Sequence, residues 1–440
     1  MARVEQRWRG RFSTTGTMIA GAMVAGATFG VDTRQTTAFE IAALSASLLL
    51  LALLATRFCR ADPRVQRSLP RHVTVGSAFQ YTLRVAPGAG ADGHLALLDE
   101  LDSTPPSRDD FIRYADPDEA RGNPVDRWLG YRRWLKLRAL QRGARIDPIP
   151  LPSVRESRAE TVTASCLPLR RGHLRFRTTA LLCPEPMGLM NAVRRQATPQ
   201  SLLVLPRRYR VPAVHIGRGR RHQPGGIQFA GSVGDSREFM HLRDYRPGDS
   251  VRHIHWRSWA RTGKPVVKEF QDEYFDRQAI LLDTTAPAGP VFEEAVSLAA
   301  SFVANDRGAD ALIDLLLVGH KAIHCPSGRG LGSREHMLEV LACATPRPDA
   351  RFATLRALAL EYATRLSSAI CVLTAWDPDR QDLVRTLRRL DVPTLVLVVI
   401  AADAATPAVS CMADQPHRFV VLRAGRIEQE LARYGEAFPG

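Results

Sequence analysis

Gln278-Ala279-Ile280-Leu281-Leu282-Asp283-Thr284-Thr285 (QAILLDTT) decides the fold of the second half of the chain. Four apolar residues follow one another without alternation, which suits a strand buried on both faces. Asp283 then ends the run with a carboxylate, and two hydroxyls follow it. Downstream the text keeps alternating. Residues 291–305 carry helical periodicity, 311–318 (ALIDLLLV) an apolar strand, and 335–343 and 355–366 two helices. After them come a buried strand at 369–374, a helix at 380–390 and the most apolar strand of all, 393–401 (PTLVLVVIA). This alternation predicts an α/β domain over 276–440, Rossmann-like, with a mostly parallel sheet covered on both faces. Sites in such sheets form beyond the carboxyl ends of central strands, so Asp283 and Thr285 are the first candidates. An aspartate with a hydroxyl two residues on suits a hard cation such as Mg²⁺, and equally a turn cap with no further role.

Immediately upstream, Gly234–Phe270 reads GDSREFMHLRDYRPGDSVRHIHWRSWARTGKPVVKEF. Arg237, Arg243, Arg246, Arg252, Arg257 and Arg261 are interspersed with Glu238, Asp244, Asp249 and Glu269. Tyr245, Trp256, Trp259 and Phe270 among them can stack on guanidinium planes. Pro247-Gly248 fits the central pair of a type II turn. Val251, Ile254 and Trp256 keep no single strand period, which predicts a short turn-and-strand segment held by fork-shaped Arg–carboxylate pairs. Two uses fit these residues: a salt-bridge network that buttresses a neighbouring sheet, or a docking face. His241, His253 and His255 read as polar packing in so arginine-rich a setting.

The same window resembles the signature of the domain of unknown function 58 family. Gly234, Glu238-Phe239, Arg243, Tyr245, Gly248-Asp249, Arg252, Ile254, Trp256, Ala260-Arg261 and Glu269-Phe270 stand at its fixed places. Trp259 departs from it, since the family has a small residue there. The resemblance implies a C-terminal half like the von Willebrand factor A domain, whose metal-ion-dependent adhesion site opens Asp-x-Ser-x-Ser. Asp283 and Thr285 match that opening, Pro287 replaces its last serine, and Asp377 is the candidate for its later acidic ligand. The expected site is therefore degenerate, with Mg²⁺ the one cofactor it would take. Members of the family occur beside MoxR-type AAA+ ATPases and with transglutaminase-like membrane proteins. That company implies an adaptor, not an enzyme, helping such an ATPase remodel or mature an envelope protein complex. The rival expectation is a metal-assisted hydrolase centred on Asp283 and the acids of the signature.

The rest of the chain supplies a setting for these sites. Thr15–Val31 and Ala38–Thr56 are apolar runs near the roughly 20 residues that cross a bilayer. Over 1–60 they predict a two-helix transmembrane hairpin, with Gly21, Gly26 and Gly30 allowing close approach. Arg3, Arg7, Arg9 and Arg11 precede it, and Arg57, Arg60, Arg64 and Arg67 follow. The positive-inside rule then places both termini and the remaining chain in the cytoplasm of a bacterial inner membrane. From 61 to 214 short alternating runs such as 72–87, 160–166, 167–176 and 201–205 predict a β-sandwich. The family commonly has such a module between hairpin and signature, with an Asp-Pro-x-Gly-Leu stretch that here reads Pro184-Glu185-Pro186-Met187-Gly188-Leu189. A basic helical insertion over about 109–149, with Trp128, Trp134 and Leu137 among arginines, either packs on the sandwich or lies on the bilayer. The net charge of +15 over 440 residues points to an anionic neighbour, yet no nucleic-acid-binding motif accompanies it and no specific nucleic acid is expected. Seven scattered cysteines with no C-x-x-C pair read as reduced thiols in a cytosolic bulk. Cys325 beside His324 reads as packing, and Gly328–Ser333 as a weak anion-binding helix start.

Overall fold

The computed structural model describes residues 11–29, 36–58, 64–86, 95–102, 107–113, 130–151, 160–212, 238–249, 251, 254–271, 276–305, 311–327 and 333–437. The chain divides into two compact units, Met1–Leu205 and Pro206–Gly440.

In the first unit, helices Thr14–Phe29 and Thr36–Ala55 touch where Gly26 meets Ala38 and Ala42. Thr37–Ala55 is the one span among the described residues that is long and apolar enough to cross a bilayer, with a mean hydropathy of 2.2. Thr14–Phe29 has 16 residues, fewer than the roughly 20 a crossing needs. Nine strands follow: β1 Arg64–Ser68, β2 His72–Thr74, β3 Phe79–Ala86, β4 Ala96–Leu101, β5 Ala144–Ile146, β6 Ile149–Pro150, β7 Glu160–Pro168, β8 Gly172–Pro184 and β9 Asn191–Leu205. They form a four-stranded sheet ordered β1-β3-β7-β5 and a five-stranded sheet ordered β2-β9-β8-β4-β6. Val65, Tyr81, Leu83, Val85 and Cys166 from the first sheet share one core with Leu97, Phe176, Leu202 and Val204 from the second. The insertion expected over 109–149 is only partly an insertion. Helix Tyr131–Arg142 buries Leu137, and the text after it supplies β5 to one sheet and the start of β6 to the other. Trp128 lies outside the described residues.

A buried ion pair joins the two sheets. The Arg67 guanidinium on β1 donates to both Asp99 oxygens on β4, at 3.0 and 2.6 Å, and both side chains are fully buried. Tyr81 and Thr179 also donate to Asp99, and the Phe176 ring lies 4.5 Å from the guanidinium carbon. With every donor and acceptor so matched, the pair survives its desolvation.

The turn between β8 and β9 is where the N-terminal helices attach. Glu185 is buried, and its carboxylate accepts from the backbone N–H groups of Met187, Leu189 and Met190. The turn so held presents the Leu189 carbonyl to the Ser13 N–H at 3.0 Å and pairs Met190 with Phe12. Gly16 permits this approach, since a Cβ there would sit 2.0 Å from the Leu189 oxygen. Ala52, Leu48 and Ile19 of the helices close over Leu189 and Met190.

The second unit is built on eight further strands: β10 Glu238–Asp244, β11 Val266–Gln271, β12 Asp276–Leu282, β13 Ala311–Val318, β14 Ala322–Ser327, β15 Ser368–Leu373, β16 Thr394–Ile400 and β17 Phe419–Arg423. β10 and β11 make an antiparallel hairpin, and the remaining six form one sheet ordered β14-β13-β12-β15-β16-β17. All its pairings are parallel except β13 with β14 at one edge. Helices Phe352–Tyr362 and Pro378–Arg389 pack on the face carrying Ala279 and Leu281. Helix Pro290–Ala304 packs along β12, β15 and β16, and Ile427–Ala437 against β17. The apolar runs thus became strands because each had a helix to meet on either side. Pro206 to Pro212 also belong here. The Tyr209 N–H donates to the Ser301 hydroxyl at 2.8 Å, and the Tyr209 hydroxyl donates to Glu294.

Candidate functional site

Numbered from β12, the six-stranded sheet runs third, second, first, fourth, fifth, sixth, so the chain reverses direction across the sheet between β12 and β15. A crevice opens at such a switch point, outside the carboxyl ends of the two strands, and it is the customary ligand position. Asp283 follows β12 and Thr374 follows β15, so both stand at that crevice. The Asp283 N–H is tied to the Val372 carbonyl at 2.9 Å, which continues the ladder and holds the side chain inward.

Arg380 occupies the crevice. Its Nε donates to Asp283 Oδ2 at 2.8 Å, and one terminal nitrogen donates to Thr285 Oγ1 at 2.7 Å. The other donates to Asp377, which also caps helix Pro378–Arg389 by accepting from the Arg380 N–H at 3.0 Å. The Phe352 ring lies 4.6 Å from the guanidinium carbon. Asp283 Oδ1 further accepts from the Thr285 N–H and hydroxyl, at 3.0 and 2.6 Å. Its Oδ2 accepts from the Thr374 N–H and hydroxyl, at 3.2 and 2.7 Å. Burial alone would push the Asp283 carboxyl up. The Arg380 charge and the donors from Thr285 and Thr374 outweigh it, and hold the carboxyl below the usual carboxylate range.

The structure therefore brings Asp283, Thr285 and Asp377 together around a guanidinium. A carboxylate offers about four lone-pair positions, and Asp283, wholly buried, already receives five donors. As arranged, this donor set does not fit a hard divalent cation, because Arg380 already supplies the positive charge that the oxygens surround. Among the described residues, no group of three or more His, Cys, Asp or Glu side chains is placed to hold a metal ion. Thr284 is structural, its hydroxyl donating to the Val318 carbonyl at 2.7 Å. The sequence did carry a signal for Arg380. It sits in the first turn of a helix, where the macrodipole disfavours a cation, a placement that a carboxylate partner offsets.

The signature folds as the β10–β11 hairpin with a short helix, Trp256–Thr262, between its strands. Arg243 forks onto Asp249, at 2.7 and 2.8 Å, and the Arg246 N–H adds a third bond at 2.8 Å. These hydrogen bonds, Arg243's first, bring the Asp249 carboxyl down to about 2. The Asp249 N–H closes the turn onto Arg246, with Gly248 at φ 107°, as Pro247-Gly248 anticipates. Ile254 is buried and bridges to Val267, and the Tyr245 N–H donates to Pro265. Trp256 differs from the expected strand text: it opens the helix, stacks on Trp259 at 5.3 Å and remains 61% exposed. Arg261, on the same helix, is exposed. For Glu238, Phe239 and Glu269 only the backbone register is described, Glu238 opposite Gln271, Phe239 opposite Phe270, and Glu269 opposite His241. Arg252 and His253 lie outside the described residues, as do residues 328–332. Burial pushes the Cys325 thiol up, away from nucleophilic use, and pushes Cys371 up to about 12.

Residues 241–413 match the family model described as "Protein of unknown function DUF58". Among curated proteins, the chain is similar to "Uncharacterized protein YeaD" of Bacillus subtilis, 24% identical over 201 residues. That alignment covers 44% of this chain and 49% of the relative, so about half of the relative's length is spanned. Among solved structures, a cohesin module of a Clostridium perfringens family 33 glycoside hydrolase aligns to 33% of this chain and 97% of its own, at 10% identity and a TM-score of 0.16.

Proposed function

We propose, from the match of residues 241–413 to the DUF58 family model, that the protein is a membrane-anchored adaptor and not an enzyme. The observation that carries this reading is the closed crevice at Asp283. A carboxylate saturated by Arg380, Thr285 and Thr374 has no lone pair left to activate water, which speaks against Asp283 as the base of the hydrolase alternative. What the unit offers instead is surface, and exposed Trp256, stacked on the half-buried Trp259, is its most prominent aromatic feature.

In this reading the α/β unit is a von Willebrand factor A-like domain that dispenses with the metal, Arg380 standing in for it. Helices Thr14–Phe29 and Thr36–Ala55 cross the bacterial inner membrane as a hairpin and leave both termini and the soluble parts in the cytoplasm. The partner that family resemblance favours is a MoxR-type AAA+ ATPase, with a transglutaminase-like membrane protein as a further associate. The client would be an envelope protein complex under maturation.

Affinity capture of the full-length, detergent-solubilised chain, with and without ATP and Mg²⁺, tests the proposal. Co-purification of an AAA+ ATPase, reduced in Trp256→Ala and unaffected by chelation in the absence of nucleotide, supports it. Hydrolytic activity that disappears in Asp283→Asn, with the fold intact, would replace the adaptor by the hydrolase.

A further inference from the structure

The β8–β9 hairpin of the first unit carries the helix-docking turn at one end and a basic cleft at the other. The cleft, about 360 Å³, is lined by Asp102, Gln141, Arg142, Gly143, Arg170, Arg171, His173, Leu174 and Arg175. Four pieces of chain meet to build it: the residue after β4, the end of helix Tyr131–Arg142, the β7–β8 turn and the first residues of β8. They are fastened together by the Leu169 N–H, which donates to the Gly143 carbonyl at 2.8 Å, and by the Asp102 N–H, which donates to the Arg175 carbonyl at 2.8 Å. The cleft is thus held by backbone bonds, independently of whatever its side chains bind.

Its charge is lopsided. Among the described residues that line it are four arginines and one histidine against one carboxylate, Asp102. The helix C-terminus adds roughly half a negative charge, and Arg142 in the last turn offsets that. Arg170, Arg171 and Arg175 still outnumber Asp102. Leu174 is the single large apolar residue of the lining, and it is buried in the sandwich core. An apolar ligand would find little to contact, whereas forked guanidinium groups suit phosphoryl oxygens.

We propose that this cleft binds a small soluble polyanion carrying phosphoryl groups. Two such groups bring about three to four negative charges at neutral pH, enough to neutralise the basic excess of the lining. A volume of about 360 Å³ admits a small molecule and not a folded segment of a partner. The anionic headgroups of the host membrane are the competing source of the same chemistry. They are disfavoured by position, because His173 lies eleven residues along β8 from the helix-docking turn that starts at Pro184. That is roughly 35 Å of extended chain, several times the Debye length of about 8 Å at physiological salt. The cleft uses none of the residues of the adaptor reading, and only the comparison with headgroups rests on that reading's membrane anchor.

The test uses full-length protein in nanodiscs of phosphatidylcholine, with inorganic pyrophosphate as the probe and calorimetry as the readout. Saturable binding is expected, weakening steeply with added salt. Arg170 and Arg175 are exposed, so Arg170→Glu with Arg175→Glu is expected to fold normally and bind at least about tenfold more weakly. Arg170→Lys with Arg175→Lys keeps the charge and loses the fork, so its affinity is expected to fall between those of the parent and the Glu pair. Unaltered binding in the Glu pair, or no binding to the parent protein, overturns the proposal. Loss of pyrophosphate binding when a third of the lipid is replaced by phosphatidylglycerol (roughly, enough to saturate the cleft) would assign it to headgroups instead. Tighter binding of a Glu-rich peptide than of pyrophosphate would assign it to an acidic protein partner.

Discussion

Arg380 and Asp283 form a buried pair, so removing either partner takes away the other's buried counter-charge. Asp283→Asn leaves the guanidinium, 9% exposed, with Asp377 as its one charged partner, and that carboxylate is 43% exposed. The expected loss is about 3–5 kcal/mol, read by urea denaturation of the detergent-solubilised chain. Arg380→Met is expected to cost less, because Thr285 and Thr374 still donate to the carboxylate. The double variant should be less destabilised than the sum of the singles, and strict additivity would show that the two side chains do not act on one another. The pH dependence has a fixed sign. Asp283 is held below its ordinary value in the folded chain, so its contribution is fully present above the unfolded carboxylate's pKa and is lost as pH falls through the folded one. Acid titration of stability from neutral pH should therefore show a loss below about pH 4 that is smaller in Asp283→Asn. Little of this was legible beforehand. Asp283 and Thr285 stand out at the end of a buried strand and Asp377 through the family resemblance, but Arg380 comes 97 positions after its partner, and only its odd place in a helix's first turn marks it.

Among the elements, the β8–β9 turn and the first helix depend on one close approach. Gly16→Val would drive a side chain into the Leu189 carbonyl, 2.0 Å from where its Cβ must sit. The helix start is expected to lift off the turn. Hydrogen exchange should then quicken at Ser13 and Asn191, whose N–H groups donate across that junction, while the far ends of β8 and β9 keep their protection. Unchanged exchange at both sites would refute the docking. Elements formed from strong local periodicity were readable: 311–318 is a strand with the anticipated bounds, and 291–305 became Pro290–Ala304. Strands whose residues look polar were not. β1, Arg64–Ser68, reads RVQRS and passes for the basic flank of a membrane span, yet Arg67 lies in the sandwich core because Asp99 awaits it there. Trp256 shows the converse, an aromatic in strand-like text that opens a helix and points its ring to solvent.

At the scale of the whole molecule, the question is what surrounds helix Thr36–Ala55. Leu44, Leu50 and Leu51 are each more than half exposed, an arrangement that water penalises and lipid does not. Leu50→Arg separates the two environments. In a bilayer the arginine costs about 2.5–3.5 kcal/mol, and the carbonate-resistant membrane fraction of the full chain should fall. In water the same substitution would raise solubility and leave fractionation unchanged. The sequence by itself determined what depends on neighbours along the chain: an apolar helix near the start, alternating strands in the middle, and β–α alternation under the matched family region, 241–413. Local periodicity records which faces a segment must bury, and the removal of apolar area from water is the main force that selects its conformation. Only the tertiary structure decided which charged groups meet. Arg67 with Asp99, Arg380 with Asp283, and Arg142 with the arginines of the β7–β8 turn are brought together by tertiary folding, and a side chain's charge carries no record of the partner that folding will set beside it.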